Sequence, residues 1–174
     1  DLGFSPLAQI RKDNVRSLRV AWSLALPPGP NEATPLVHDG IIFVHSYGDH
    51  LQALDAATGD ELWHYSRSLP PGGVAVVQRN IALYGNKVYF ATSDGHEVAL
   101  DMKSGKVQWD QPLGDSKNTR ITGGPLVAQG RVMQGTQGRE PGGQQIVGLD
   151  SETGKVRWRF NTIAQPGTPL GNSW

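Results

Sequence analysis

The sequence predicts an all-β fold built from β-propeller blades, and three observations support this prediction. The pattern small-Leu-Asp-x-x-Thr/Ser-Gly-x-x-x-Trp occurs three times, at 53–63, 99–109 and 148–158. Its aspartates, Asp55, Asp101 and Asp150, stand 46 and then 49 residues apart, which is the length of a propeller blade. The chain also has 22 Gly and 12 Pro among its 174 residues, as many short strands joined by tight turns require.

The segment 14–27, which precedes the first repeat, is predicted to form the outer strand of a blade. Its apolar run at 18–26 looks like the fourth strand of a blade, but the other three strands of that blade do not precede it. In a closed ring it would therefore complete the last blade. Even the smallest propellers have about four blades, and this chain has about three and a half. We therefore expect an N-terminal portion of a longer protein or one chain of a split protein; an open array with another kind of cap is the alternative.

Three blades are predicted at 32–66, 78–112 and 121–162, each with four antiparallel strands between Asn, Asp and Gly turns. The strands of the first blade are expected at 34–37, 41–45, 51–55 and 61–65. Those of the second are expected at 80–84, 88–92, 97–101 and 107–109. Those of the third are expected at 125–128, 131–135, 145–150 and 156–160, and a loop is expected at 163–174.

The repeated pattern has a physical explanation at both of its ends. The aspartate can accept hydrogen bonds from the turn amides, and the glycine can adopt the positive φ that other residues resist. A four-stranded meander cannot bury both of its faces alone, so the blades are expected to pack face to face. The tryptophan suits that interface because it offers a large apolar area and an N–H that needs a partner.

Composition excludes several classes of function. Lys+Arg and Asp+Glu are equal at 16 each, so no net charge favours nucleic acid or an acidic membrane surface. The chain has no cysteine and no run of 18 apolar residues, which excludes disulfides and a membrane span. The five histidines are expected to be turn and strand residues, because their spacing does not match a zinc site. Phosphate-binding loops and serine-hydrolase elbows are also missing.

The repeated turn matches the tryptophan-docking motif, and the chain resembles the N-terminal part of the pyrroloquinoline quinone (PQQ)-dependent alcohol dehydrogenases. The segments 4–10, 14–15, 21–22 and 32–37 also carry this resemblance, which covers essentially the whole chain. It implies an eight-bladed propeller that holds PQQ and Ca²⁺ over a central channel. It also implies alcohol oxidation by hydride transfer, usually in the periplasm, with electrons passed to a cytochrome c or a quinone.

The resemblance assigns cofactor contacts to loops between the repeats. Glu32 would hydrogen-bond the edge of PQQ. Arg79 would contact a carboxylate or an ortho-quinone oxygen, which suits a guanidinium that stays protonated. Thr122 would donate its hydroxyl to a PQQ carboxylate, and a further polar contact is expected from Thr136 or Gln137.

The metal assignment rests on Glu140, which matches the family's calcium-binding glutamate. Calcium prefers carboxylate oxygens and takes six to eight oxygen ligands, so one candidate cannot form the site alone. The remaining ligands and the general base are expected downstream, in the C-terminal propeller segment, and no catalytic residue is expected in this chain.

Several positions depart from the family pattern. Gly73 and Val74 stand where many members have a vicinal disulfide that covers the cofactor. Gln78 and Asn80 flank Arg79 with altered residues, and 141–144 differs from the family's continuation after Glu140. The alternative function is therefore a propeller scaffold without a cofactor, of the outer-membrane assembly lipoprotein type, which carries the same turn.

Overall fold

The computed structural model describes residues 7–115, 117–138, 144–168 and 171, and the described residues form three antiparallel sheets. Blade 1 contains β1 (Leu36–His38), β2 (Ile41–Ser46), β3 (His50–Asp55) and β4 (Glu61–Ser66). Blade 2 contains β5 (Ala82–Tyr84), β6 (Lys87–Ala91), β7 (His96–Asp101) and β8 (Val107–Pro112). Blade 3 contains β10 (Leu126–Ala128), β11 (Arg131–Gly138), β12 (Gln145–Asp150) and β13 (Val156–Asn161).

The strand order within each blade confirms the predicted meander. Neighbours in sequence are neighbours in the sheet in every blade, and each strand of the blades begins within two residues of its expected start. One strand was not predicted: β9 (Thr119–Arg120) pairs with the end of β11. None of the helical residues in the described part of the chain forms a segment that is long and apolar enough to span a membrane.

The blades pack face to face and share two apolar clusters. Phe43 and Leu51 of blade 1 pack against Phe90 and Leu100 of blade 2. On the other face of blade 2, Tyr89 belongs to a cluster that also holds Val132 and Leu149 of blade 3. Blade 2 is thus covered on both faces, and every residue of β6 is buried.

Two of the three tryptophans of the repeat, Trp63 and Trp109, join one blade to the next. Trp63 Nε1 donates to Met102 O at 3.0 Å, and Trp109 Nε1 donates to Ser151 O at 2.9 Å. Each ring lies over the turn glycine of the next blade, where a Cβ on Gly105 or Gly154 would stand 2.7 Å from ring atoms. The predicted role of the tryptophan at the blade interface is confirmed for Trp63 and Trp109.

The outer strand expected at 14–27 does not form among the described residues. A turn of 3₁₀ helix occupies Val15–Ser17, and no strand follows it before β1. A strand needs a hydrogen-bonded neighbour, and none of the described strands pairs with this segment. Trp22 nevertheless docks as the other tryptophans do, since its Nε1 donates to Ala56 O at 3.1 Å and its ring covers Gly59. That the segment completes a last blade stays a prediction.

The two ends of the blades differ in their connections. We call one the turn end; it carries the turns after β1, β3, β5, β7, β10 and β12, including all three repeat turns. We call the other the linker end; it carries the links between blades and the turns from β2 to β3 and from β6 to β7. Those predicted site residues that the structure describes belong to linker-end segments or to the last residues of β11.

The repeat turns have the predicted hydrogen bonds. Asp101 Oδ1, for example, accepts from Ser104 N at 2.8 Å and Ser104 Oγ at 2.7 Å. Asp55 and Asp150 accept turn amides in the same way. The glycines that follow have φ of 80°, 68° and 69°, which only glycine adopts without strain.

Candidate functional site

The segments that lead into the blades are joined by backbone hydrogen bonds at the linker end. Thr34 N donates to Arg79 O at 3.2 Å, and Arg79 N donates to Thr122 O at 3.2 Å. The lead-in segments of blades 2 and 3 also approach closely, since a Cβ on Gly124 would lie 2.6 Å from Asn80 O. The fold therefore places Arg79, Thr122 and Thr34, which lies two residues after Glu32, along one continuous line.

Arg79 and Glu32 form an ion pair in this line. Arg79 Nε lies 3.1 Å from Glu32 Oε2, and the side chains are 52% and 50% exposed. An ion pair so exposed contributes only about 0–1 kcal/mol to stability. Both groups are thus open to a ligand, and the pair orients the guanidinium at little energetic cost.

Arg79 also lines a cavity of 380 Å³ with three other predicted residues, Thr122, Thr136 and Gln137. We call it the Arg79 cavity. The guanidinium, the hydroxyls and the amide of these residues are hydrogen-bond donors, and the cavity contains no carboxylate among its described lining residues. Such a donor set suits an anionic or carbonyl-rich ligand.

Gln134 is a lining residue of the Arg79 cavity that the sequence analysis missed. It is 1% exposed, and its Nε2 donates to Gly123 O at 3.0 Å and Gly135 O at 2.9 Å. Its Oε1 has no hydrogen-bond partner among the described residues. The available signal was strand alternation, because Val132, Gln134 and Thr136 share the buried face of β11 and a glutamine there is unusual.

Other positions singled out in the sequence do not line the Arg79 cavity. Glu32 is not among its lining residues and contacts it through Arg79. Glu140 lies outside the described residues. Gly73 and Val74 line a different cavity, 490 Å³ in volume. No group of three or more His, Cys, Asp or Glu side chains within the described ranges is arranged to hold a metal ion.

The histidines all lie on strands, as expected for structural residues. His50 Nδ1 and His64 Nε2 lie 3.1 Å apart on neighbouring strands of blade 1, a contact that their separation in sequence did not predict.

Arg67 forms the main electrostatic link between blades 1 and 2. It follows β4, and its Nε and Nη1 atoms lie 2.8 Å from Asp94 Oδ2 and 2.7 Å from Asp110 Oδ2, respectively. Its side chain is only 13% exposed. Burial disfavours the charged guanidinium, but hydrogen bonds to Asp110, Tyr65 and Asp94 outweigh it and raise the pKa of Arg67. The network holds the linker end of blade 1 against blade 2.

Other titratable groups at the linker end are buried without an ion pair. Glu97 is fully buried, neither carboxyl oxygen has a partner among the described residues, and burial raises its pKa well above the usual value. Burial also raises the pKa of Asp49, although hydrogen bonds from Ser93 N and Oγ oppose the shift. Burial and the nearby His50 lower the pKa of His45 to about 4.

Comparison with known proteins identifies relatives along nearly the whole chain. The PQQ_2 family model, described as outer membrane protein assembly factor BamB, matches residues 16–140. A quinohemoprotein alcohol dehydrogenase ADH IIB of Pseudomonas putida is 44% identical, over 95% of this chain and 25% of its own length. The chain thus spans about a quarter of the length of the curated relatives it matches.

Solved structures agree with this result. The quinohemoprotein alcohol dehydrogenase of Comamonas testosteroni has a TM-score of 0.82 at 36% identity, covering 95% of this chain and 26% of the other. A europium-containing methanol dehydrogenase also has a TM-score of 0.82, at 32% identity, over 91% of this chain and 29% of the other. BamB from Moraxella catarrhalis has a TM-score of 0.59 at 22% identity, over 74% and 40%, a likeness of fold alone.

Proposed function

The chain belongs to the PQQ_2 propeller family and is a homologue of the PQQ-dependent alcohol dehydrogenases, and from that premise we propose that it forms part of an enzyme that oxidises alcohols with a bound quinone. One observation carries the proposal: the fold gathers Arg79, Thr122, Thr136 and Gln137 around one donor-rich cavity. These residues come from separate segments of the chain, and the dehydrogenase resemblance selected all of them.

We propose PQQ as the ligand of the Arg79 cavity, because an anionic ortho-quinone needs the donors that this cavity offers. The Arg79 guanidinium would bind a quinone oxygen or a carboxylate, and Glu32, at 3.1 Å from Arg79 Nε, would hold it in orientation. The hydroxyl of Thr122 would donate to a carboxylate, and Gln137 or Thr136 would supply a further polar contact. The chemistry that PQQ supplies when bound is acceptance of a hydride from the alcohol carbon.

Calcium binding by Glu140 is the part of the proposal that rests on the resemblance alone. A metal of this kind needs six to eight oxygen ligands, and the described residues offer no such cluster. The other ligands and the general base would come from regions of the relatives that this chain does not span. We place the protein in the periplasm, with a cytochrome c or a quinone as electron acceptor, by resemblance to the same relatives.

The test is reconstitution of the complete protein with PQQ and Ca²⁺. We expect a quinone absorption band and alcohol-dependent reduction of a dye. Arg79→Gln should weaken PQQ binding about tenfold or more, because a charge-assisted hydrogen bond is lost. Arg131→Gln, at the turn end, is the matched control and should bind PQQ as the natural protein does. Folded protein with neither absorption band nor dye reduction would refute the proposal.

A scaffold propeller without a cofactor is the second candidate. The description of the matching family model favours it, as do the altered residues on either side of Arg79. The likeness to the solved BamB structure is weaker than the likeness to the dehydrogenases. A failed reconstitution with intact folding would favour this candidate.

A further inference from the structure

The cavity of 490 Å³ that contains Gly73 and Val74 shares no lining residue with the Arg79 cavity. We call it the Lys117 cavity. One part of its lining is the loop from Leu69 to Val76, and another part is the segment that carries Lys117, Thr119 and Arg120. Its volume lies within the usual range for small-molecule sites, which is about 300–1,000 Å³.

The wall of the Lys117 cavity is apolar and held in place. Leu69, Pro70, Pro71, Val74 and Val76 all line it. Gly73 N donates to Pro70 O at 2.8 Å, which closes a tight turn, and Val76 N donates to Ser93 Oγ at 3.0 Å. Tyr47 Oη donates to Ala75 O at 3.3 Å. Val74 remains 73% exposed at the surface of this wall.

The other part of the lining carries positive charge that nothing in the described part of the chain neutralises. Lys117 and Arg120 make no ion pair with any described residue, and they are the two cations that line this cavity. Both cations also line a neighbouring cavity whose other lining residues are Asn118, Gln137, Gly138 and Gln144. They therefore stand between two cavities.

The nearby carboxylates are already engaged by other groups. Asp94 lines the cavity, but its Oδ2 is 2.8 Å from Arg67 Nε and its Oδ1 accepts from Thr92 Oγ1 at 2.6 Å. Asp115 accepts from Lys117 N and Asn118 Nδ2, both at 3.0 Å, rather than from the lysine ammonium. The cavity thus combines an apolar wall with two unpaired cations.

From this combination we propose that the Lys117 cavity binds a small organic anion with an apolar body, of the class of the short-chain monocarboxylates. The carboxylate contacts Lys117 and Arg120, and the hydrocarbon part lies against Pro71 and Val74. The site is separate from the Arg79 cavity, whose lining residues it does not share.

The experiment measures binding of hexanoate to the complete protein by titration calorimetry at low ionic strength. Acetate, which keeps the charge without the apolar body, and 1-hexanol, which keeps the body without the charge, serve as ligand controls. We expect hexanoate to bind more tightly than either, and its binding to weaken with added salt. Equal affinity for acetate and hexanoate, or no binding of hexanoate, would overturn the proposal.

Two kinds of variant locate the binding. Lys117→Gln and Arg120→Gln should each weaken hexanoate binding about fivefold, while Lys155→Gln, an exposed cation at the turn end, should leave it unchanged. Val74→Asp places a negative charge on the apolar wall, where it would repel the carboxylate of the ligand. It should therefore weaken hexanoate binding even though Lys117 and Arg120 are both present. The side chains of Lys117 and Arg120 make no hydrogen bond or ion pair with a described residue, so we expect each variant to have the same unfolding temperature as the natural protein. Unchanged hexanoate affinity in the Lys117 and Arg120 variants would refute the assignment.

Discussion

Carboxylates at the turn end and at the linker end of the same blades have opposite environments. At the turn end, Asp55 and Asp101 accept turn amides or hydroxyls, and those hydrogen bonds lower their pKa. At the linker end, Glu97 and Asp49 are buried, and burial raises their pKa. At the turn end, each aspartate is hydrogen-bonded by residues of its own turn, and the same arrangement occurs three times. The linker end depends on packing between blades, so each position there is different.

This difference shows where the fold can vary without losing its blades. A substitution in a repeat turn would affect the docking of the tryptophan from the previous blade. A linker-end residue such as Arg79 or Lys117 contacts solvent and a cavity. It can therefore be substituted to suit a different ligand without disturbing the packing of the blades. The five predictions below test this division, from the largest expected effect to the smallest.

The largest effect is expected from Trp63→Ala. Trp63 is 8% exposed and docks on blade 2, so its loss should lower the free energy of unfolding by about 3–5 kcal/mol. Trp63→Phe keeps an aromatic ring and should cost less. Denaturant unfolding of the 174-residue chain measures both. Trp158, in the same position of blade 3, is 41% exposed, so an equal loss for Trp158→Ala would contradict the docking argument.

Arg67→Met should be the most damaging change at the linker end. It leaves Asp94 and Asp110 without their shared cation, and we expect the free energy of unfolding to fall by about 2–3 kcal/mol. This is below the range for fully buried pairs, because Asp110 is 36% exposed. Arg67→Lys keeps the charge but cannot make both contacts in the same geometry, and should be intermediate. Denaturant unfolding distinguishes the three proteins. If the lysine variant matched the methionine variant, charge would not be the cause.

Glu97→Leu should stabilise the protein, by about 1–3 kcal/mol at neutral pH, because it removes a buried carboxyl without a partner. The raised pKa means that the folded state holds a proton that the unfolded state releases above about pH 4.3. Natural Glu97 therefore costs more stability as pH rises.

The measurement is denaturant unfolding of the natural protein and the variant between pH 4.5 and 8. The gap between them should widen with increasing pH, and Glu97→Gln should remove the same pH dependence with a smaller gain. A gap that stays constant across the series would show that Glu97 is not protonated in the folded state.

Glu32→Gln should change the free energy of unfolding by no more than about 1 kcal/mol. The reason is that the ion pair with Arg79 is half exposed. Its effect should appear instead in affinity for PQQ, measured by the quinone absorption band during titration. A large loss of stability would place this pair in the structural network and not in the ligand site.

The smallest effect concerns the titration of Asp150. A hydrogen bond from Arg157, with further bonds from Thr153 and Glu152, lowers its pKa to about 2. Arg157→Gln should raise that pKa toward the ordinary value, and Lys155→Gln should not. Carboxyl chemical shifts followed by NMR measure both. Because the folded pKa is lowered, the stability that this carboxylate gives is lost as pH falls from about 4 toward 2.

The sequence predicted the turn end well, because its signals are local. The Asp and Gly of each repeat turn, and the start of each blade strand, follow from residues within a few positions of one another. The segment 14–27 forms no strand among the described residues, because a strand depends on a neighbour that its own residues do not specify. The pairing of β9 with the end of β11 was missed for the same reason. That the segment 14–27 completes a last blade stays a prediction.

At the linker end, resemblance supplied what local pattern could not. It selected Arg79, Thr122, Thr136 and Gln137, which the structure brings to one cavity, while their roles in cofactor binding remain predictions. Gln134, Glu97 and the unpaired Lys117 and Arg120 were missed. Burial and missing counter-charges arise from contacts between blades, and no spacing along the chain encodes them.

The tryptophan docking also equips the chain with optical reporters. Trp22 senses the contact between the N-terminal segment and blade 1, Trp63 that between blades 1 and 2, and Trp109 that between blades 2 and 3. Each indole is hydrogen-bonded across a single interface, so its fluorescence changes when that interface opens. With the other tryptophans replaced by phenylalanine, each interface can be followed separately in real time, without an attached dye.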